Sequence, residues 1–278
     1  MEVAYSLVGS YLLLGTAIGL IIWFTAARLY QNDELKPVSK KIILVAIVLA
    51  VAGVILAMLH LGKVERFFYL LLNPSSWLAR EGLFAGAFTG GIILYFILIR
   101  NKVEQLEKFD ILLYINVFTG FCTLVSMGMI YASASAVPAW NSIWSVLVNV
   151  SSGLLLGGLL FMFLIKEHFN FDYQKILGKG ILVLAIVTLL INVANEVQVW
   201  MALSAIAAQG GEVPAILLSS LLHILVGFLV PLYLIILFIR QKETKPTIYL
   251  TVAFVFVILG EITGKIMHFI AGVKAPFI

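Results

Sequence analysis

The chain has 278 residues, of which 62% are hydrophobic and only 12% charged, and its formal net charge is +4. Soluble domains are about half apolar and about a quarter charged, so this composition excludes an ordinary soluble protein and indicates a polytopic membrane protein. In such a protein the excess of basic residues marks cytoplasmic loops, so the charge does not indicate nucleic-acid binding. The single cysteine, Cys122, excludes an intrachain disulfide and a cysteine-rich metal or iron–sulfur site held by this chain alone.

Eight apolar runs follow one another along the chain, separated by short polar links. A bilayer core of roughly 30 Å needs about 20 residues of helix, and each run is long enough to cross it. The runs lie near 5–28, 42–62, 80–99, 111–131, 143–165, 178–204, 214–239 and 247–271. The first lacks the basic flank of a signal peptide and is expected to be a spanning helix. The sequence therefore predicts an all-α fold, a bundle of eight transmembrane helices forming a single membrane domain over 1–278.

The basic residues predict the orientation of this bundle. The first, third, fifth and seventh links carry 13 of the 18 Lys and Arg residues, while the fourth and sixth links carry none. By the positive-inside rule the odd-numbered links are cytoplasmic, which places both termini outside. The links after the second and fourth helices then face the outside and form a compact surface for any partner protein.

A histidine and a glutamate flank the first outer link, in the stretch MLHLGKVERFFYLLLNPSSWLARE (58–81). His60 ends the second apolar run and Glu81 begins the third, so a helical hairpin would bring them together. Such a pair beside an apolar cleft suits a quinol, since each group can hold one hydroxyl and accept its proton. Arg66 could hold the carboxylate or stabilise a reduced quinone. The alternative is an interfacial pair that only contacts water or lipid headgroups.

Other ionisable residues lie inside the predicted spans, where they are costly and indicate function. They are Glu196, His223, Glu261, Lys265 and His268. Glu261 and Lys265 are four residues apart and share one helix face, so an ion pair is expected, with either a structural or a proton-conducting role. Gly260 and Gly264 beside them are typical of close helix packing. Glu196 and its neighbouring asparagines predict a polar edge, either water-lined or bonded to another helix.

Two further function classes stay open on the residues alone. His60, His223 and His268 all map to the outer halves of their helices, which allows a single haem with two histidine ligands. An ion- or proton-coupled transporter would use Glu196, Glu261 and Lys265, although we find no inverted repeat. Hydrolytic and phosphoryl-transfer motifs are absent from the sequence.

Three segments stand out as motifs: AMLHLGKVERFF with SWLAREGLFAG around the first outer link, AVPAWNSIW (136–144), and GEITGK (260–265) in the last helix. Together they resemble the dimethyl sulfoxide reductase anchor-subunit family. Helix number, orientation and length extend the resemblance over nearly the whole chain. Lys265 departs from the arginine expected after such a GELIG-like run, and Arg80 makes the AREG segment more basic. The larger polysulfide-reductase membrane subunits share the eight-helix plan but match these motifs less well.

The resemblance implies a quinone-reactive membrane subunit of a molybdopterin oxidoreductase used in anaerobic respiration. It would anchor an iron–sulfur subunit and a molybdopterin catalytic subunit on the outer face of a prokaryotic plasma membrane, with both termini on the periplasmic side. Its quinol-site residues would be His60, Glu81 and Arg66, its cofactor menaquinone or ubiquinone, and no haem or metal would be held by this chain. It is not expected to be active alone. A purely structural anchor without bound quinone is the remaining alternative.

Overall fold

The structure, a computed structural model, describes residues 5–30, 32–60, 72–101, 108–166, 168–169, 171–214, 216–241 and 247–272. These residues contain eight helices that are long and apolar enough to cross a membrane. The helices are α1 Tyr5–Tyr30, α2 Asn32–His60, α3 Trp77–Ile99, α4 Asp110–Ala132, α5 Ile143–Ile165, α6 Phe171–Ala208, α7 Leu217–Arg240 and α8 Thr247–Ile270. No strand occurs in this part of the chain. The prediction of an eight-helix membrane protein is therefore confirmed.

Two helices are longer than their apolar runs. α2 begins at Asn32, well before the run that starts near 42, because Leu35, Val38 and Ser39 pack into the core although polar residues surround them. α6 has 38 residues, about 57 Å of helix, which exceeds a bilayer core of roughly 30 Å. Hydropathy detects only the apolar part of a helix. The sequence therefore did not predict the extensions of α2 and α6 outside the membrane core.

α7 contains a π-helical segment, Leu225–Leu229, that the apolar pattern does not predict. Pro231 follows it and has no backbone N–H, so the regular hydrogen-bond ladder is interrupted there. The N–H of Val230 donates to the carbonyl of Leu225, the wider spacing of a π-helix. At the same level Gly227 lies directly against Gly260 of α8, where a side chain on either residue would meet the other backbone. The predicted small-residue face of α8 is therefore a real packing surface.

α1 and α5 form the centre of the bundle. About two-thirds of the hydrophobic stretch of each is buried, against 28–44% for the other six helices. α1 packs on α2 and α5, and α5 also contacts α4, α6 and α8. Trp23 of α1 donates its indole N–H to the carbonyl of Leu154 of α5, at 3.0 Å. The outer helices expose large apolar side chains, as expected for surfaces that face lipid.

The two ends of the bundle differ in chemistry. At one end, called the Arg28 end, Arg28 of α1 forms a 2.8 Å ion pair with Asp110 of α4 and donates to the hydroxyl of Tyr95 of α3. The opposite end, called the His60 end, holds the C-terminus of α2, the N-terminus of α3 and the link 133–142 between α4 and α5. The intramembrane ionisable residues that the sequence singled out belong to two cavities in the half of the bundle near the His60 end.

Candidate functional site

His60 and Glu81 line one cavity between α1, α2 and α3, which we call the His60–Glu81 cavity. The volume of this cavity is about 150 Å³. Its other lining residues are Leu7, Leu14, Val54, Ala57, Met58, Leu78, Gly82, Ala85 and Gly86. An apolar cavity with two convergent polar groups is the usual form of a site for a small organic ligand.

The two polar groups of this cavity have different surroundings. Glu81 is buried, with 6% of its surface exposed, whereas His60 at the end of α2 is exposed. No described residue donates a hydrogen bond to Glu81. The third predicted site residue, Arg66, lies outside the described residues. The Glu81 carboxyl group thus lines the cavity with no donor among the described residues, which suits a ligand that can donate a hydrogen bond.

The start of α3 places Glu81 in the cavity. Ser76 is the N-cap of the helix, and Trp77 is its first residue. Arg80 stacks on the Trp77 ring at 4.4 Å and donates from Nε to the carbonyl of Pro74 at 3.1 Å. Arg80 is therefore engaged with the helix entry, which orients the next residue, Glu81, toward α1 and α2.

A second cavity, which we call the polar chamber, lies between α1, α4, α5, α6, α7 and α8. Seven titratable side chains line it, together with Ser145, Asn149, Asn192, Asn195 and several apolar groups. The titratable residues are Tyr11, Tyr131, Glu196, His223, Glu261, Lys265 and His268. The volume of the chamber is about 40 Å³, which is room for about three water molecules.

Glu196 of α6 and His223 of α7 form an interhelical pair in the chamber. Nδ1 of His223 lies 3.0 Å from one carboxylate oxygen of Glu196, and the hydroxyl of Ser220 donates to the other at 2.8 Å. His223 is 4% exposed, and its ring packs edge-on against Phe228 in the π-helical segment. The polar edge that the sequence predicts on α6 is thus bonded to a neighbouring helix.

Lys265 and Glu261 of α8 form the expected ion pair. Nζ of Lys265 lies 3.9 Å from Oε2 of Glu261 and donates to Oδ1 of Asn149 of α5 at 3.1 Å. Glu261 is 2% exposed and the Lys265 side chain 11%. Gly264 brings this face of α8 close to His223, so the two charged pairs share one enclosed space.

The motif AVPAWNSIW packs against the end of α8, beside the chamber. The indole N–H of Trp140 donates to the carbonyl of His268 at 2.6 Å, and the two rings stack with centroids 5.5 Å apart. Tyr131 meets His268 edge-on at 4.7 Å. The link 133–142 is therefore fastened to the end of α8 by aromatic contacts, which explains why a tryptophan stands at this point of the motif.

The structure groups the sequence-predicted residues in a way that sequence spacing does not show. His60 lies on one cavity, while His223 and His268 line the other. Among the described residues, no three His, Cys, Asp or Glu side chains are close enough together to hold a metal ion. Tyr11, Tyr131 and Asn149 were not predicted as site residues, because tyrosine and asparagine are common near membrane interfaces and helix contacts.

Comparison with protein families identifies a family for this chain. No curated protein matches the chain. The family model described as DMSO reductase anchor subunit (DmsC) matches residues 2–270, nearly the whole chain. This chain therefore belongs to the DMSO reductase anchor subunit family, which makes it a multi-pass membrane anchor of an oxidoreductase complex with catalytic and electron-transfer partner subunits.

Proposed function

We propose that this chain is the quinone-reactive subunit of its complex and passes electrons between the quinone pool and an iron–sulfur partner on the outer face. The observation that carries the proposal is the His60–Glu81 cavity, in which one histidine and one buried carboxyl group meet in an otherwise apolar space. Membership of the DMSO reductase anchor subunit family supports it, since such a subunit joins a membrane to a redox complex.

The residues of the cavity suit the chemistry of a quinol. Its ring and isoprenoid tail are apolar, so the leucine, valine and methionine side chains favour it over water. His60 and Glu81 would each hold one hydroxyl group and accept its proton as the electron leaves. Arg66 is proposed as the nearby basic residue that offsets negative charge. Proton transfer in reverse serves quinone reduction, so the same groups support either direction of electron flow.

The proposal places the site and its partner on the same side of the membrane. The positive-inside pattern puts the His60 end outside, and the proposed partners there are an iron–sulfur subunit and a molybdopterin catalytic subunit. Menaquinone or ubiquinone would be the membrane substrate. Electrons and protons from quinol would leave toward the same side, so this step alone would move no net charge across the membrane.

Titration of a quinol-analogue inhibitor into membranes that contain the complex tests the site. Wild type is compared with His60→Ala and Glu81→Gln, and His168→Ala is the matched control, because His168 is exposed and lies at the Arg28 end. We expect tight binding in wild type and in the control, and its loss in the two cavity variants. Equal binding in all four would place the site elsewhere in the bundle.

The inhibitor titration also separates this function from a purely structural anchor. If wild type binds no analogue while the complex stays assembled, the chain is an anchor without a quinone site. If wild type binds the analogue and His60→Ala does not, electron transfer is then measured as the reduction of the partner's iron–sulfur cluster by added quinol. That reduction is expected to be slow or absent in Glu81→Gln.

A further inference from the structure

The polar chamber takes no part in the quinol site proposed above, although many of its lining residues are ionisable. It contains two carboxyl groups, a lysine and two histidines within one enclosed space. A purely structural set of pairs would be expected to satisfy its own hydrogen bonds. Here Oε1 of Glu261, Oδ1 of Asn195 and Nε2 of His268 have no hydrogen-bond partner among the described residues.

These three atoms indicate that the chamber is hydrated. Buried polar atoms that lack a protein partner are generally satisfied by ordered water, where the space is polar and large enough. The chamber meets both conditions, since it has room for about three water molecules. Water beside carboxyl and imidazole groups can carry protons between them, because each group accepts and donates protons in turn.

Two tyrosines join the chamber to the His60–Glu81 cavity. Tyr11 of α1 and Tyr131 of α4 both line the chamber, and their hydroxyl groups lie 3.3 Å apart. Leu7 and Leu14, one turn to either side of Tyr11 on the same helix face, line the other cavity. Tyr11 therefore stands on α1 between two residues of the other cavity, and the two spaces adjoin at this helix.

On its far side the chamber adjoins an open groove near the link 133–142. α6 contributes to both, since Asn195 and Glu196 line the chamber while Ala194, Val197 and Gln198 line the groove. Gln198 donates to the carbonyl of Pro138 in the link, and its Oε1 has no partner among the described residues. One helix, α6, therefore lines both the chamber and an open groove at the His60 end.

We infer that the polar chamber is a hydrated proton-transfer route that takes the protons released at Glu81 and passes them by way of Glu261 and the Glu196–His223 pair to this groove. The inference rests on the proposed function. When quinol is oxidised, both of its O–H bonds break, and its two electrons pass one at a time through the iron–sulfur cluster of the electron-transfer partner to the molybdopterin subunit. Its two protons pass to carboxyl and imidazole groups of the protein and to water. They leave as hydronium on the side of the partner.

The ion pair of Lys265 fits this role. Its ammonium group lies 3.9 Å from Oε2 of Glu261 and 5.5 Å from the centre of the Tyr11 ring. This ion pair, together with the hydrogen bond from Lys265 to Asn149, fixes the Glu261 carboxyl group at the wall of the chamber. Lys265 thus acts as a positioning residue for the proton, and the arginine-to-lysine departure in this motif keeps the charge.

The test compares Glu261→Gln and Glu196→Gln with wild type in the assembled complex. Three quantities are measured: binding of a quinol analogue, the rate at which quinol reduces the partner's cluster, and the effect of added imidazole as a small proton carrier. Glu34→Gln is the matched control, because Glu34 is an exposed carboxylate in α2 outside both cavities. We expect unchanged analogue binding and a rate that falls roughly tenfold or more in both chamber variants, with partial recovery on adding imidazole.

The outcomes distinguish the inference from the proposed function. If wild type binds no analogue, the proposed function fails and the inference fails with it. If wild type binds the analogue and both chamber variants reduce the cluster at the wild-type rate, only the proton route is overturned. A slow rate that imidazole does not raise also overturns it, since a structural defect is not repaired by a proton carrier. Should Glu261→Gln not accumulate, Glu196→Gln on a different helix decides the matter by the same readouts.

Discussion

The hydroxyl groups of Tyr11 and Tyr131 lie 3.3 Å apart, although 120 residues separate them in the chain. Their rings meet edge-on with centroids 6.2 Å apart, and each residue is only 6% exposed. The pair stands between an apolar cavity and a charged chamber, at the contact of α1 with α4. In the route proposed above, this buried hydroxyl pair passes a proton without opening a continuous channel between the two spaces.

Replacing Tyr131 by Phe tests the link between the two spaces. The change removes the hydroxyl that accepts from Tyr11 and keeps the ring packed on Trp140 and His268. We expect slower reduction of the partner's cluster, unchanged binding of a quinol analogue, and a loss of about 1 kcal/mol in stability. Tyr95→Phe is the control: it removes the acceptor of Arg28 at the opposite end, so stability is expected to fall while the rate stays normal.

The shape of the His60–Glu81 cavity can be tested without touching either polar residue. Gly86 lines it, and a Cβ added there would meet nothing within 4 Å. Gly86→Phe should therefore fold and fill the cavity, which abolishes binding of a quinol analogue. Gly90→Phe is the matched control. Gly90 lies one turn further along α3 and has the same open surroundings, but it lines neither the His60–Glu81 cavity nor the polar chamber.

Binding of the analogue to Gly86→Phe at wild-type affinity would contradict this use of the cavity. Loss of binding in both glycine variants would point to a general effect of a bulky group on α3. Retention in Gly90→Phe together with loss in Gly86→Phe is the expected pattern.

The helices were readable from the sequence because the bilayer imposes one requirement on all of them. About 20 apolar residues must occur together, and each of the eight runs satisfies this. The early start of α2 was missed because Leu35 and Val38 stand among charged residues and beside Pro37, although the helix continues through them. The π-helical segment of α7 depends jointly on Pro231 and on the contact of Gly227 with Gly260, which is tertiary.

The candidate site could be predicted from the sequence only where the spacing of residues along the chain fixes their geometry. Glu261 and Lys265 are four residues apart on one helix, so their pairing follows from helical periodicity. His60 and Glu81 end and begin neighbouring helices, so a hairpin brings them to one cavity. The partner of Glu196 could not be named, because His223 lies on another helix and no spacing rule connects α6 with α7. The chamber as a unit needs six helices, and so it emerges only from the fold.

Gly264 controls the position of His223 in the chamber. A Cβ at residue 264 would lie 2.5 Å from Nε2 of His223, and this ring is held by Glu196 on its other side. Gly264→Ala should therefore overpack the site, lower stability by about 1–3 kcal/mol and slow quinol oxidation. Thermal unfolding in detergent gives the stability. Gly90→Ala is the reference, because it adds a methyl group to open space in a helix and should be neutral or slightly stabilising.

The ion pair at the Arg28 end is expected to stabilise the bundle without influencing the site. Asp110→Asn leaves the guanidinium of Arg28, which is 5% exposed, without its carboxylate. We expect a loss of about 3 kcal/mol, the lower part of the range for a broken buried pair, because Asp110 is 31% exposed. Analogue affinity of the folded protein should not change. A large change in affinity would show that the two ends of the bundle are coupled.

The orientation of the bundle decides where protons and electrons leave, and it can be tested with single cysteines. Cys122 is the sole cysteine, so Cys122→Ser provides a background without thiols. Ser135→Cys lies in the exposed link 133–142 and Asn101→Cys lies in the exposed segment after α3. The positive-inside pattern predicts that an impermeant thiol reagent labels the first in intact cells and the second only after permeabilisation. The opposite pattern would place the His60 end in the cytoplasm, and the partner subunits and the proton exit would then have to lie there as well.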